Sequence, residues 1–256
     1  MVIKVTIKPV SQVQLHYGDC LDVMGSLEPQ SIDLILCDLP FGTTDCKGDL
    51  PIPLGALWSH YVKVLKPTGC VVLFGNNPFT SELIMSNRTW FKQSLVWNKN
   101  KCGSPALAKI RPMQTHEDIV VFAPNTTTYN PQMTFDEPYA RQTDNPEGYE
   151  GKHNKHGYGM KPVKGFTNHG TRYPKSILNI SRDFSAQQQI HPNQKPVPLL
   201  EYLIKTYSNV GEWVLDNAMG CGSSLIAARN VGRHVIGIEK EKEYFDLAKV
   251  RVTGQP

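Results

Sequence analysis

The sequence predicts an α/β fold, a mostly parallel sheet flanked by helices and interrupted by one long insertion. Three observations carry this. The 256 residues are 40% hydrophobic and 20% charged, the balance of a globular chain able to bury its own core. Short apolar runs alternate with helical patterns over residues 1–123 and again over 191–256. Residues 124–190 are instead rich in Asn, Thr, Gly, Tyr, His and Lys and lack apolar periodicity. A structureless loop of that length inside a domain is unusual, so the stretch reads as an inserted subdomain.

The elements follow in order. Gln14–Asp19 and Ile32–Asp38 read as strands, each ending at an aspartate. Leu54–Leu65 places Leu54, Leu57, Trp58, Tyr61, Val62 and Leu65 at helical spacing, with Lys66-Pro67 closing the helix. Gly69–Gly75 is a continuous apolar run between glycines, as in a strand buried on both faces. Gln93–Asn98 and Asp118–Ala123 are two more strands, and Trp58 and Trp97 are core candidates. After the insertion come an amphipathic helix (Pro198–Tyr207), a strand (Trp213–Asp216), a glycine turn, a helix (Ser224–Val231), a strand (His234–Glu239) and a last helix (Tyr244–Val252).

Composition excludes some classes. Six cysteines are present without C-x-x-C or zinc spacing. Cys20, Cys37 and Cys221 lie at apparent strand ends, where buried thiols are common, so a reduced, cytoplasmic setting is the simplest reading. The first residues are too polar for a signal peptide, and no run of about 18 apolar residues exists to span a membrane. The net charge of +4 permits nucleic-acid binding without arguing for it.

Two segments carry chemistry. VLDNAMGCGSSLIAA (residues 214–228) is strand, turn, helix. Gly220 and Gly222 lack a Cβ, so backbone can pass close to a ligand, and Ser223 and Ser224 stand where they can cap the helix. Asp216 closes this strand and Glu239 the next, where an acid can accept both ribose hydroxyls of a nucleoside. The G-x-G turn alone fits dinucleotide enzymes, methyltransferases and plain tight turns. The second segment is IDLILCDLPFG (residues 32–42). A buried strand carries Asp38 to its carboxyl edge, and Leu39-Pro40-Phe41 makes a turn stiffened by proline. An acid, a fixed carbonyl and an aromatic ring suit an amino group on a flat ring. In isolation, a strand-end aspartate before a turn is the commoner meaning of such a segment. Within the insertion, Tyr129, Phe135, Tyr139, Tyr149, Tyr158, Phe166 and Tyr173 interleave with Arg141, Lys152, Lys155, Lys161, Lys164, Arg172 and Lys175. The first group offers stacking surface and the second phosphate contacts; a solvated excursion has the same composition.

Together these segments resemble the β group of amino-directed DNA methyltransferases. In that family a D-P-P-Y/F motif precedes the cofactor-binding F-x-G-x-G motif, a circular permutation of the usual methyltransferase order. Here Asp38-Leu39-Pro40-Phe41 comes first and Gly220-x-Gly222 last, and HPNQKP (residues 191–196) resembles the family's H-P-T-Q-K-P segment. The resemblance covers most of the chain outside 124–190. It implies a Rossmann-like methyltransferase fold with a mostly parallel seven-stranded sheet, in which Gln93–Asn98 and Asp118–Ala123 form an antiparallel edge hairpin. It also implies a catalytic and cofactor-binding domain of residues 1–123 and 191–256, with 124–190 as target-recognition insertion.

For the site, the resemblance places Asp38, Leu39, Pro40 and Phe41 as the catalytic motif. The S-adenosylmethionine site would hold Asp19 and Cys20 at the adenine and Glu239 at the ribose. Asp216, Asn217, Ala218, Gly220, Gly222 and Ser223 would surround the methionine part, with Asn193, Gln194 and Lys195 near its carboxylate. No metal is called for, because the sulfonium methyl is already electrophilic. The implied substrate is double-stranded DNA with a flipped-out base, in a restriction-modification setting, and the implied assembly is a monomer or homodimer. Asp38 favours adenine N6, since cytosine-N4 enzymes tend to begin the motif with Ser; the cytosine reading stays open. Three departures stand out. Leu39 replaces a proline, which would loosen the turn, Ala218 replaces a phenylalanine that packs on the cofactor, and Asn217 often is proline. Ala218 keeps open an inactive module that binds S-adenosylmethionine and nucleic acid without turnover. Methylation of RNA or a small amine is a further alternative; the long insertion argues against a small substrate.

Overall fold

The computed structural model describes residues 11–42, 50–102, 108–141, 166–185, 189–191 and 193–254. Contacts divide the chain into two units, Met1–Asn130 with Ser176–Pro256, and Pro131–Lys175. The first unit begins with β1 (Val13–Tyr17), α1 (Cys20–Ser26), β2 (Ile32–Cys37), α2 (Leu54–Val64), β3 (Leu65–Gly75), α3 (Phe79–Ser86), β4 (Phe91–Asn98) and β5 (His116–Phe122). The second unit holds two short antiparallel ribbons: β6 (Thr134–Phe135) pairs with β9 (Thr171–Arg172), and β7 (Tyr139–Arg141) with β8 (Phe166–Asn168). The first unit resumes with β10 (Ile177–Asn179), α4 (Val197–Tyr207), β11 (Trp213–Asp216), α5 (Ser223–Asn230), β12 (His234–Glu239) and α6 (Lys242–Thr253).

Its sheet runs β1-β12-β11-β2-β3-β5-β4-β10. Every neighbouring pair is parallel except those β5 makes with β3 and β4, so β5 alone is reversed. The fold class is the one expected, and the hairpin of β4 and β5 is present. The sheet has an eighth strand, however, because β10 lies parallel against the outer side of β4. β10 falls in the stretch counted as insertion; three residues are too few to show a period. Helices α1 and α3 have no counterpart among the expected elements.

Alternation within the central strands divides the core. Leu34, Leu36, Val72 and Phe74 face α4 and α5, while Ile35, Cys37, Val71 and Leu73 face α1, α2 and α3. Burial on both faces explains why Gly69–Gly75 of β3 reads as a continuous apolar run. Trp58 and Trp97 are buried as expected, but Val62, placed on the apolar face of α2 by its spacing, is 57% exposed. β3 starts at Leu65 rather than Gly69: Ile32 pairs with Leu65 and Leu34 with Cys70, so Lys66–Gly69 bulges out. The buried Asp33 binds Lys66 Nζ through both oxygens at 2.8 Å and accepts Trp213 N at 2.9 Å, tying three strands at their amino ends. Among the described residues no helix is long and apolar enough to cross a membrane.

Leu203 on α4 is fully buried in the first core layer. Leu203→Ala is expected to cost about 2–5 kcal/mol in urea unfolding, whereas the exposed Val62→Ala is expected to change stability by no more than about 0.5 kcal/mol.

Candidate active site

Parallel strands end at the same sheet edge, and four neighbours here end at acids. Asp19 follows β1, Glu239 closes β12, Asp216 closes β11 and Asp38 follows β2, in the spatial order of the strands. The edge opens into a cleft of about 1140 Å³, counting its open mouth, lined by all four. The catalytic and glycine-turn segments, more than 170 residues apart in the chain, therefore face one space: Asp38, Leu39 and Pro40 line it, as do Asp216, Asn217, Ala218, Gly220 and Ser223. Cys20, Asn193, Gln194 and Lys195 line it too.

Three of the acids are fixed by short-range hydrogen bonds. Asp19 caps α1 by accepting Leu21 N at 2.8 Å. Glu239 accepts Gly220 N at 2.9 Å and Glu241 N at 2.8 Å, and burial holds its carboxyl above the ordinary range. Asp216 accepts Ala218 N at 3.1 Å and the Ser224 hydroxyl, and burial pushes it up to about 6. Ser224 thus serves the strand rather than capping α5. The cap position is Gly222, which has no side chain to accept a cap bond.

The two glycines have different neighbours. Gly220 (φ +50°) lines the cleft, and a Cβ there would lie 3.1 Å from the His191 ring. Gly222 (φ +77°) does not line it; a Cβ there would meet Ala248 at 3.1 Å and Val252 at 3.3 Å on α6. Its missing side chain serves helix packing. Phe41 is likewise absent from the lining and packs on Phe79 with ring centroids 4.8 Å apart. Leu39 is buried among the α1–α3 core residues, so burial holds the turn where a proline was expected.

Asp38 is held differently. Lys195 Nζ lies 2.6 Å from its Oδ2, while Oδ1 is buried with no hydrogen-bond partner among the described residues. Lys195 also sits 3.1 Å from Glu117 Oε2, and Glu117 Oε1 receives Lys99 Nζ at 2.8 Å. Burial raises the Asp38 carboxyl to about 6; Lys195 works against that rise and Glu117 adds to it. For Lys195 burial opposes the charge, but its two carboxylates prevail and hold it above the ordinary lysine range. Glu117 and Lys99 were not foreseen as site residues. Because β5 is reversed, its first residues reach the same edge where the parallel strands end, a fact of topology with no local signal.

Three unforeseen features of the wall stand out. Met219 and Tyr244 line it, the Tyr244 ring meeting His191 edge-on at 4.3 Å. His191 Nδ1 accepts Asn193 N at 3.2 Å, and burial lowers its pKa to about 4, so it is neutral. Asn217 accepts the buried Tyr61 hydroxyl at 2.6 Å through Oδ1. Of the cysteines, Cys20, Cys37, Cys70 and Cys221 are buried and free and Cys102 is exposed; Cys46 lies outside the described residues.

A doubly covered parallel sheet with acids at its carboxyl edge and a glycine turn defines a Rossmann-like enzyme fold built to hold a nucleoside. Comparison with known proteins narrows the class. The chain belongs to the N6/N4 DNA methylase family, which it matches over residues 53–250. It is 26% identical over 263 residues to the type II methyltransferase M.HpaI of Haemophilus parainfluenzae, covering 94% of this chain and 74% of that one. Among solved structures it resembles M1.HpyAVI in complex with SAM (TM-score 0.62, 23% identity, 94% and 99% of the two chains). It also resembles the cytosine-N4-specific PvuII DNA methyltransferase (TM-score 0.64, 17% identity, 94% and 86%).

S-adenosylmethionine is the methyl donor of this family, and the cleft fits it. Asp19, Asp38, Asp216, Glu239 and Glu241 outnumber Lys195 and Lys240 in the lining, a balance that favours a sulfonium cation. Lys195 is already engaged by two carboxylates.

The ionisation of Asp216 has a testable consequence. Its folded pKa of about 6 lies above the ordinary 3.8, so the folded state binds the proton more tightly than the unfolded chain. That contribution is full below about pH 4 and is lost as pH rises through 6. Asp216→Asn, which has no such titration, is expected to gain stability relative to the parent protein between pH 4 and pH 7. The gain is about 3 kcal/mol, from roughly two pH units at 1.36 kcal/mol each. Urea unfolding at the two pH values measures it.

Proposed function

We propose that this chain transfers a methyl group from S-adenosylmethionine to N6 of adenine in double-stranded DNA, acting on a base flipped out of the duplex. The observation that carries the reading is the Asp38 carboxylate. One oxygen is taken by Lys195, and the other is buried without a hydrogen-bond partner among the described residues, in the cleft that Glu239 and Gly220 also line. An unsatisfied buried acceptor is unfavourable until a donor reaches it. The amino group of a base supplies two N–H donors.

In this reading Asp38 Oδ1 accepts one N–H, and the carbonyl at Leu39 or Pro40 accepts the other. Both hydrogens are then held, and the nitrogen lone pair is aimed into the cleft. Bound S-adenosylmethionine supplies a methyl group that the sulfonium already makes electrophilic. The protein's task is therefore alignment, the largest entropic part of such a barrier. Asp38 is ionised at neutral pH, so it orients and polarises the amino group, and the nitrogen sheds its proton once methylated. Glu239 would hold the ribose, Asp19 and Cys20 the adenine, and Asn193 and Gln194 the methionine end. Tyr244 and Met219 offer apolar surface that Ala218 does not. A base inside a duplex cannot reach the cleft, hence the flip.

We assign residues 1–123 and 191–256 to catalysis and donor binding, and 124–190 to target recognition. In the described part of the insertion Phe135 is 82% and Tyr173 73% exposed, as stacking rings would be. The Arg172 guanidinium lies 4.7 Å from the Tyr139 ring centroid. Tyr149, Tyr158, Lys152, Lys155, Lys161 and Lys164 fall outside the described residues.

Adenine is favoured because the motif begins with Asp38. The fold likeness to a cytosine-N4-specific enzyme is the one observation favouring the other base. Nucleoside analysis of DNA methylated by the protein decides: N6-methyladenine is expected, and N4-methylcytosine alone would falsify the adenine assignment. Asp38→Ala is expected to lower kcat on the order of a hundredfold or more, a larger loss than the one calorimetry reads in S-adenosylmethionine affinity. Binding without any transfer by the unaltered protein would instead identify an inactive module. Phe135→Ala is expected to weaken DNA binding by about 1–3 kcal/mol with no change in unfolding midpoint.

A further inference from the structure

Lys99, Glu117, Lys195 and Asp38 form a line of alternating charges with side chains 9–18% exposed. They come from the end of β4, the start of β5, the loop before α4 and the end of β2. We propose that Glu117, backed by Lys99, is a positioning residue that holds the Lys195 ammonium on Asp38 Oδ2 and so leaves Asp38 Oδ1 fixed as the acceptor for the substrate amino group. This rests on the reading of Asp38 given above.

The geometry supports it at each link. An ammonium has three donors. Lys195 donates to Asp38 Oδ2 at 2.6 Å and stands 3.1 Å from Glu117 Oε2 as an ion pair without a hydrogen bond, with the Phe74 ring 5.0 Å away. A lysine stem has four rotatable bonds, so one carboxylate would leave the ammonium free to swing; a second, on a different element, fixes its place. Glu117 cannot monopolise Lys195, because Lys99 takes its other oxygen at 2.8 Å. Two positive and two negative charges balance, and none is left buried alone.

Asp38 also senses its other neighbours. Asp216, on the adjacent β11, faces it with both oxygens already bonded to Ala218 N and Ser224, and the Cys37 thiol precedes it in the chain, held protonated by burial. Neither supplies a cation or a donor to Asp38. The charge balance at Asp38 is thus set by the line through Lys195.

The two members beyond Lys195 act in opposite directions. Glu117→Gln removes a repelling charge and gives Lys195 to Asp38 alone. Lys99→Met removes an attracting charge and lets Glu117 compete for Lys195. The Asp38 carboxyl can be followed by carbon-13 NMR titration of the full chain without ligand. Its midpoint is expected to fall in Glu117→Gln and to rise in Lys99→Met, each on the order of one pH unit. The acid limb of kcat for DNA methylation is expected to move with the same signs, while KM for S-adenosylmethionine stays put. If both variants titrate Asp38 at the parent midpoint, the network does not set its charge and the proposal is overturned, whatever their melting temperatures. Should Glu117→Gln fail to fold, the rise in Lys99→Met carries the test alone. Midpoints that move as expected without any response in kcat support the network and overturn the role of Asp38 as acceptor.

Discussion

Gathering acids at one edge of a parallel sheet is the constraint on which the rest of this molecule depends. Strand order brings Asp19, Glu239, Asp216 and Asp38 side by side, and burial in the cleft wall makes the last three resist ionising. The fold answers each with donors. Asp19 takes the first turn of α1, Glu239 takes two backbone amides, and Asp216 takes an amide and the Ser224 hydroxyl. All these donors lie within 19 residues of their acceptor, so each bond also shapes the turn it closes. The donors that offset carboxylate burial thereby stiffen the cleft wall.

Asp38 is the exception, and the exception is informative. Its cation arrives from 157 residues away, on a loop that precedes α4. Such a bond cannot form before the sheet is assembled, so the free oxygen of Asp38 is placed by tertiary structure rather than by its own turn. Phe41, packed on Phe79, and Leu39, buried under the α1–α3 layer, anchor that turn from the other side. The segment is thereby held at both ends, while the acceptor between them remains unsatisfied.

How much was legible in the sequence follows from the range of each interaction. β3 was readable because a strand buried on both faces needs a continuous apolar run, and α4 because one face of it is core. The acids at strand ends were readable because a parallel sheet fixes which end faces the ligand. Glu117 was not, since its position depends on β5 running backwards, and Lys99 was not, since it follows β4 with no motif around it. The pairing of Lys195 was hidden too: a lysine in a nucleotide-binding segment suggests an anion, and only coordinates show that two carboxylates of the protein already hold it. β10 and Val62 mark the limits of pattern, the first too short to have a period and the second on the helical stripe but outside the packed layer.

The glycine turn shows why a motif should be resolved into its atoms. Both glycines have positive φ, and both look interchangeable in G-x-G. Yet Gly220 offers its amide to Glu239 and its open face to the cleft, whereas Gly222 gives up its side chain to Ala248 and Val252 of α6. One glycine shapes the cavity and the other sets how closely α6 approaches the turn. Since Tyr244 stands on α6 and its ring lines the cavity against His191, the second glycine reaches the site as well, through the helix it lets in. The aromatic surface missing at Ala218 is thus present in this cleft from another element, and the packing at Gly222 is what puts it there.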